Sequence, residues 1–217
     1  MSTLAWPTQP ATFLALDPRE HSLERSRVVV LPVPYEATTS YRKGTQSGPS
    51  AIIHASAEME DYDPELACEP CAVGIYTAPT IEPVVDGPSA MAARVSEVVA
   101  WYTSKGKIVG ALGGEHSITS GAVAAIAESR PELSVLVFDA QADLRDEYQG
   151  SSHSHACATR RVLDHASVTI VGVRSMTAEE AAFAVDNDVP IFERRDEAIS
   201  DIDAIVETLN EYVYVSF

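Results

Sequence analysis

The chain contains 217 residues, of which 46% are hydrophobic, 22% charged and 7% aromatic. This composition provides for a sizeable core and excludes a disordered chain, a collagen-like chain and a small disulfide-stapled domain. The 32 acidic residues exceed the 15 basic residues, which gives a formal net charge of −17 and argues against binding to nucleic acid or to an anionic membrane surface.

Short, nearly continuous runs of β-branched residues alternate with helical patterns along most of the chain. Continuous apolar runs are typical of strands that are covered on both faces, and strand–helix alternation is typical of a parallel sheet. We therefore predict one α/β domain with helices on both faces of a parallel sheet. The predicted strands are Arg27–Pro32, Ala72–Tyr76, Lys107–Leu112, Ser134–Asp139, Ser167–Val173, Pro190–Glu193 and Tyr212–Phe217.

Four helices are predicted between these strands. Each has a start or stop signal: Gly106 follows the first helix, Pro131 follows the second, Thr177 and Glu180 form a capping-box pattern ahead of the third, and Ser200 precedes the fourth. The predicted helices are Ser89–Ser104, Ser117–Ser129, the segment around Ala181–Val185, and a stripe of Ile202, Ile205, Val206 and Leu209 that follows Ser200.

Two strand ends carry residues that suit metal chemistry. Asp139 ends a run that should be buried, and a buried carboxylate has to be paired, hydrogen-bonded or metal-bound. Asp143 follows four residues later, and His116 follows the glycine pair Gly113-Gly114, which we expect to allow a tight turn. Two carboxylates and an imidazole suit a divalent cation such as manganese. The residues alone equally allow Asp139 to cap a turn and His116 to bond a loop carbonyl.

Composition also bears on the environment of the protein. Only three of the basic residues are lysines, and acid excess with scarce lysine favours a salt-adapted, halophilic source over an ordinary acidic surface. Cys68 and Cys71 form a lone C-x-x-C, for which we favour loop residues over zinc or redox use. No apolar run approaches the ~18 residues of a membrane span, and the first basic residue is Arg19, so we predict a soluble, cytoplasmic protein.

The wording of two motifs resembles the ureohydrolase family of arginases and agmatinases, and agmatinases most closely. The motifs are GGEHSIT at 113–119 and FDAQADLRDEYQGSSHSHACATRR at 138–161. The N-terminal half contains a similar entry segment: Pro34-Tyr35, Thr39-Ser40, Gly44-Thr45, Gly48-Pro49 and Ala51-Ile52. The resemblance implies a single domain over residues 1–217 with an arginase/deacetylase-like, three-layer α/β/α architecture. It also implies the strand order 2-1-3-8-7-4-5-6, of which this chain would lack the central eighth strand.

The resemblance also implies residue roles. Family members hydrolyse a guanidinium group with two manganese ions. By this resemblance His116 ligates the first metal, Asp139 bridges both, and Asp143 ligates the first and helps to protonate the leaving amine. His155 is then the proton shuttle. Glu115 replaces the aspartate that often precedes the metal histidine, with its supporting role kept.

Two departures from the family pattern affect the implied metal site. Gln141 stands where the family has a histidine ligand for the second metal, and an amide oxygen is a weaker ligand. The motif D-x-D-x-x-D-P, which follows V-S-F in the family, does not occur in these 217 residues. We therefore expect one weak manganese site and an impaired chain.

The implied reaction converts agmatine and water to putrescine and urea, in polyamine and arginine metabolism. The alternatives are a non-catalytic binding or assembly protein, or a ureohydrolase for guanidinobutyrate or formiminoglutamate. The implied partners are a small cationic guanidino substrate and further copies of the chain, because family members form trimers or hexamers. Neither nucleic acid nor a membrane is expected as a partner.

Overall fold

The computed structural model describes residues 9–193 and 202–217. These residues form two compact units, each made of three separate stretches of the chain. Within the described residues, the first unit comprises 9–35, Gly44–Pro83 and Trp101–Gly114, and the second comprises Glu36–Lys43, Val84–Ala100 and 115–217 apart from 194–201. Nowhere in the described part of the chain is a helix both long and apolar enough to cross a bilayer.

The first unit contains a three-stranded parallel sheet in the order β2-β1-β3. Its strands are β1 (Val28–Val33), β2 (Ile75–Thr77) and β3 (Ile108–Gly113). The central strand β1 is buried along nearly its whole length, as its continuous Val/Leu run predicts. Helix α1 (Gly48–Ser56) packs against β1 and β3.

The second unit contains a four-stranded parallel sheet in the order β6-β5-β4-β7. Its strands are β4 (Ser134–Phe138), β5 (Ser167–Val173), β6 (Ile191–Glu193) and β7 (Val213–Ser216). Its core lies around β4 and β5, because their side chains are buried on both faces of the sheet. The buried cluster consists of Val123, Leu133, Val135, Val137, Ala142, Leu144, Val162, Val168, Ile170, Val173, Ala184 and Val189.

Five further helices accompany these strands. They are α2 (Pro88–Thr103), α3 (Ile118–Ala127), α4 (Ala158–Val162), α5 (Ala178–Asp186) and α6 (Ile202–Glu207). The predicted capping box of α5 is present: the Thr177 hydroxyl accepts a hydrogen bond from the Glu180 N–H, and the Glu180 carboxylate accepts one from the Thr177 N–H. Ser200, the predicted start signal of α6, lies outside the described residues.

The predicted parallel α/β fold is confirmed, and all seven predicted strands are present within a few residues of their predicted bounds. The predicted strand Ala72–Tyr76 differs most from its observed counterpart β2, because a 3-10 helix at Pro70–Val73 occupies its predicted start. Helices α1 and α4 were not predicted, since α1 begins within a Gly-Pro pair and α4 has five residues. The two observed strand orders, 2-1-3 and 7-4-5-6, each match one half of the order implied by the family resemblance.

The chain bends at 114–115, at the end of the glycine pair, and Gly114 also allows a close approach of backbone. A Cβ atom at this position would lie 2.2 Å from the carbonyl oxygen of Tyr35. Its φ is not in the left-handed region. Any side chain at 114 therefore meets the main chain of Tyr35, which has little room to move.

Candidate metal centre

Three side chains with metal-ligating atoms converge in the second unit. Asp139 directly follows β4, Asp143 comes four residues later, and His116 lies two residues before α3. One ligand atom of each lies within 4.8 Å of those of the other two. Within 9–193 and 202–217, no other group of three His, Cys, Asp or Glu side chains has this spacing. The proximity predicted from the strand end is therefore observed.

The His116 ring is held at both nitrogens. Nδ1 lies 2.9 Å from Oδ2 of Asp143 and 3.4 Å from Oδ2 of Asp139. Nε2 lies 3.1 Å from the hydroxyl oxygen of Ser216 on β7. The 2.9 Å contact is a hydrogen bond when Nδ1–H donates to Asp143. To ligate a cation, the ring would instead take the tautomer in which Nε2–H donates to Ser216 and the lone pair of Nδ1 faces the carboxylates.

The electrostatics of the group favour positive charge. Burial by itself lowers the pKa of His116, but the hydrogen bond to Asp143 and the negative charges of Asp143 and Asp139 outweigh it. The net effect raises the pKa above the ordinary value for histidine. The side chains of His116, Asp139 and Asp143 are only 15%, 22% and 10% exposed. Two shielded carboxylates beside one imidazole form an electronegative pocket that suits a cation.

Backbone hydrogen bonds fix the loop that carries both carboxylates. The Asp139 N–H donates to the carbonyl of Val171 on β5, with an N···O distance of 3.1 Å. Asp143 has a φ of +49°, which is uncommon for a residue with a side chain. The Arg160 N–H donates to the Asp143 carbonyl at 3.1 Å, and the next N–H along the chain, that of Leu144, donates to Glu180 at 3.0 Å. These bonds hold the backbone of Asp143 in its uncommon positive-φ conformation.

Gln141 is exposed and lies between the two carboxylates in the chain. Its N–H donates to Oδ1 of Asp139 at 3.0 Å. Because Oδ2 of Asp139 is the oxygen near His116, the backbone N–H of residue 141 engages the other oxygen of the same carboxylate. Gln141 also forms an isolated parallel bridge with Ser175.

His155 belongs to a separate network in the same unit. It starts a 3-10 helix at His155–Cys157 and is half-buried. The hydroxyl of Thr38 lies 3.1 Å from its Nδ1 and accepts a hydrogen bond from its N–H at 2.9 Å. The same hydroxyl donates to buried Glu115 at 2.8 Å. The Tyr148 ring meets the imidazole edge-on, with 5.9 Å between the ring centres.

The family model for the arginase family matches residues 26–217, which is most of the chain. The chain belongs to the arginase family. The family resemblance inferred from the two motifs is thus confirmed.

Named relatives of this arginase-family chain are ureohydrolases. The chain is 44% identical over 179 residues to an N(1)-aminopropylagmatine ureohydrolase from Synechocystis, covering 79% of this chain and 58% of the relative. A protein of the same name from Thermus thermophilus is 37% identical over 207 residues, covering 94% of this chain and 70% of the relative. The crystal structure of agmatine ureohydrolase from Thermoplasma volcanium superposes with a TM-score of 0.84 at 28% identity, covering 97% of this chain and 71% of that one. The chain therefore spans 58–71% of the length of these proteins.

The donor chemistry of this family member fits one divalent cation. An imidazole nitrogen and two carboxylate oxygens are ligands for borderline and hard divalent metals, and the three atoms are close enough to share one ion. Gln141, which follows Asp139 by two residues, offers only an amide, a weaker ligand than an imidazole.

Two residues around these groups were not predicted from the sequence. Ser216 lies 100 residues from His116 in the chain, and Thr38 lies 117 residues from His155. The only sequence signal near either residue is its place beside a family-like stretch, V-S-F for Ser216 and the Thr39-Ser40 pair for Thr38. Neither pattern indicates which side chain the hydroxyl meets.

Proposed function

We propose that this chain carries part of the active site of an agmatinase-type ureohydrolase. The observation that supports the proposal is the convergence of His116, Asp139 and Asp143 within an arginase-family chain. The substrate is a linear, cationic guanidino compound, and the products are an amine and urea. The relatives' names favour N(1)-aminopropylagmatine and agmatine as the two compounds to test first.

In this proposal His116, Asp139 and Asp143 hold a manganese ion. A divalent ion held there would lower the pKa of water, and so supply the nucleophile for the guanidinium carbon. The three side chains fix the position of that ion, and Ser216 sets the ring orientation of His116. The oxygen ligands Asp139 and Asp143 also balance the charge of the cation.

The protons of the reaction are assigned to two residues. Water adds to the guanidinium carbon, and the bond from that carbon to the substituted nitrogen breaks. Asp143 takes a proton from the attacking water and passes it to the leaving amine, and His155 exchanges protons between the site and solvent, a role that suits imidazole. One water is consumed, and the guanidinium charge leaves on the amine as an ammonium group.

Charge supports the choice of substrate class. A net charge of −17 attracts polycations and repels anions. Agmatine and aminopropylagmatine carry only positive groups, whereas guanidinobutyrate and formiminoglutamate also carry carboxylates. We therefore rank the two carboxylate-bearing compounds below the two polyamine-like ones.

A non-catalytic, ureohydrolase-like binding protein is the second candidate, and Gln141 is the observation that favours it. An amide at this position is a weaker ligand than an imidazole, which weakens a second metal site. A protein that had lost hydrolysis would retain the fold and the first half of the site.

Metal stoichiometry tests the ligand assignment. After dialysis against manganese and then buffer, elemental analysis of the 217-residue chain should find at most one manganese per chain. His116→Ala should abolish this binding, whereas the matched control His153→Ala should retain it. Two tightly held ions, or binding that survives His116→Ala, would show that the ligands are assigned wrongly.

A repair experiment separates the two candidate functions. A segment that contains D-x-D-x-x-D-P is appended after Phe217, and Gln141→His is introduced together with it. The double change should release urea from aminopropylagmatine or agmatine, and we expect it to form a trimer or hexamer. Gln141→His alone should give no urea. A repaired chain that binds two metals but releases no urea from any of the four compounds would favour the non-catalytic candidate.

A further inference from the structure

Glu115 is a buried carboxylate that is fully engaged by hydrogen-bond donors. Its side chain accepts from the N–H groups of Ala37 and Thr38, both at 2.7 Å, and from the hydroxyls of Thr38 and Ser117, at 2.8 and 2.6 Å. A carboxylate offers about four acceptor sites, so no site of Glu115 is left without a donor. The residue is 5% exposed, which makes these bonds stronger than they would be in water.

The hydroxyl of Thr38 has a single proton, which it donates in the hydrogen bond to Glu115. The donor–acceptor distance of 2.8 Å and the acceptor-only nature of a carboxylate fix this direction. The Thr38 oxygen is therefore an acceptor toward its other neighbours. One of them is the N–H of His155, at 2.9 Å, and the other is Nδ1 of the same residue, at 3.1 Å.

We propose that Glu115 and Thr38 hold His155 in the Nδ1–H tautomer, with the lone pair on Nε2. An acceptor oxygen 3.1 Å from Nδ1 forms a hydrogen bond only if Nδ1 carries a proton. If Nδ1 were unprotonated, its lone pair would face a lone pair of the Thr38 oxygen at this distance, and the two would repel each other. With Nδ1 protonated, the Ser154 hydroxyl, 3.3 Å from Nδ1, is a second acceptor for the same N–H.

The tautomer matters for catalysis only if the proposed function, with His155 as proton shuttle, is correct. A proton shuttle needs a defined nitrogen that takes up and releases the proton, and the Nδ1–H tautomer makes Nε2 that nitrogen. The Tyr148 ring packs perpendicular to the imidazole, with 5.9 Å between the ring centres. Thr38 and Glu115 are thus positioning residues for His155, since they act through its ring.

Long-range proton–nitrogen correlation spectra of the 15N-labelled 217-residue chain test the tautomer. Protonated and unprotonated ring nitrogens give different shifts and cross-peak patterns, and His155→Gln assigns the signals among the six histidines. Recorded where the ring is neutral, the spectrum of the unmodified chain should show Nδ1–H. Histidine free in water prefers Nε2–H, so the expected pattern is distinct from that of an unconstrained ring.

Three variants test whether the Thr38 hydroxyl determines the tautomer of His155. Thr38→Val, which has nearly the same shape without the hydroxyl, should lose the Nδ1–H pattern in favour of Nε2–H. Thr38→Ser and Ser154→Ala should both keep it. The proposal is overturned if the unmodified chain shows Nε2–H, if Thr38→Val keeps Nδ1–H, or if Ser154→Ala abolishes it. If Thr38→Val does not fold, the unmodified chain and Ser154→Ala still decide the matter.

The measurement needs neither metal nor substrate, so its outcome is independent of catalysis. An Nε2–H ring in a chain that hydrolyses guanidino compounds after repair would overturn this inference alone. An Nδ1–H ring that depends on Thr38, in a repaired chain without activity, would overturn the proposed function alone.

Discussion

Replacing Gly121 by alanine should destabilise the protein, although it places a better helix former in α3. By helix propensity alone, Gly→Ala in a helix interior stabilises by about 1 kcal/mol. However, a Cβ at position 121 would lie 2.1 Å from the carbonyl oxygen of Ala92 in α2, and 2.8 Å from its carbonyl carbon. Normal contacts are about 3.5 Å, so the two helices would have to separate locally by about 1.4 Å.

The obstacle is main chain, which cannot rotate away as a side chain can. We therefore take the upper end of the overpacking range, about 3 kcal/mol, and subtract the gain of about 1 kcal/mol from propensity. The net loss of about 2 kcal/mol corresponds to a decrease of about 4–8 °C in Tm for a chain of this size. Thermal unfolding followed by circular dichroism measures this decrease.

Gly110→Ala in β3 is the matched control. Its Cβ would meet nothing closer than 3.9 Å and its φ is not in the left-handed region, so its Tm should change little. A Gly121→Ala variant that is as stable as the unmodified chain, or more stable, would refute the close approach of α2 and α3.

Two further predictions concern helix capping and salt. Thr177→Ala removes the hydroxyl that accepts the Glu180 N–H and should lower the free energy of unfolding by about 1 kcal/mol. Thr177→Ser should stay near the unmodified value in the same urea titration, and equal losses in both variants would contradict the capping role. Molar potassium chloride should raise the Tm above its low-salt value, because it screens the repulsion among 17 excess negative charges. A Tm that is unchanged or lower in high salt would count against that reasoning.

The sequence predicted the strands because a parallel sheet covered on both faces leaves a local signal, a continuous apolar run. It predicted the pairing of Asp139 with Asp143 for a similar reason, since four residues of chain separate them at a strand end. The prediction that His116 lies beside them rested on the family resemblance as much as on the chemistry of its imidazole. The contacts of Ser216 and Thr38 left no such signal, because each joins positions 100 or more residues apart.

The interleaving of the two units has a consequence for the order of events during synthesis. Thr38 belongs to the second unit but is made 117 residues before His155, its partner there. At about 5–20 residues per second, translation takes on the order of ten seconds to cover that interval. The first unit is complete once Gly114 has emerged, whereas 36–43 and 84–100 wait for the remainder of the chain. A fragment that begins at Glu115 would therefore lack the Thr38 hydroxyl and the α2 backbone, so expression of 115–217 alone cannot reproduce the second unit.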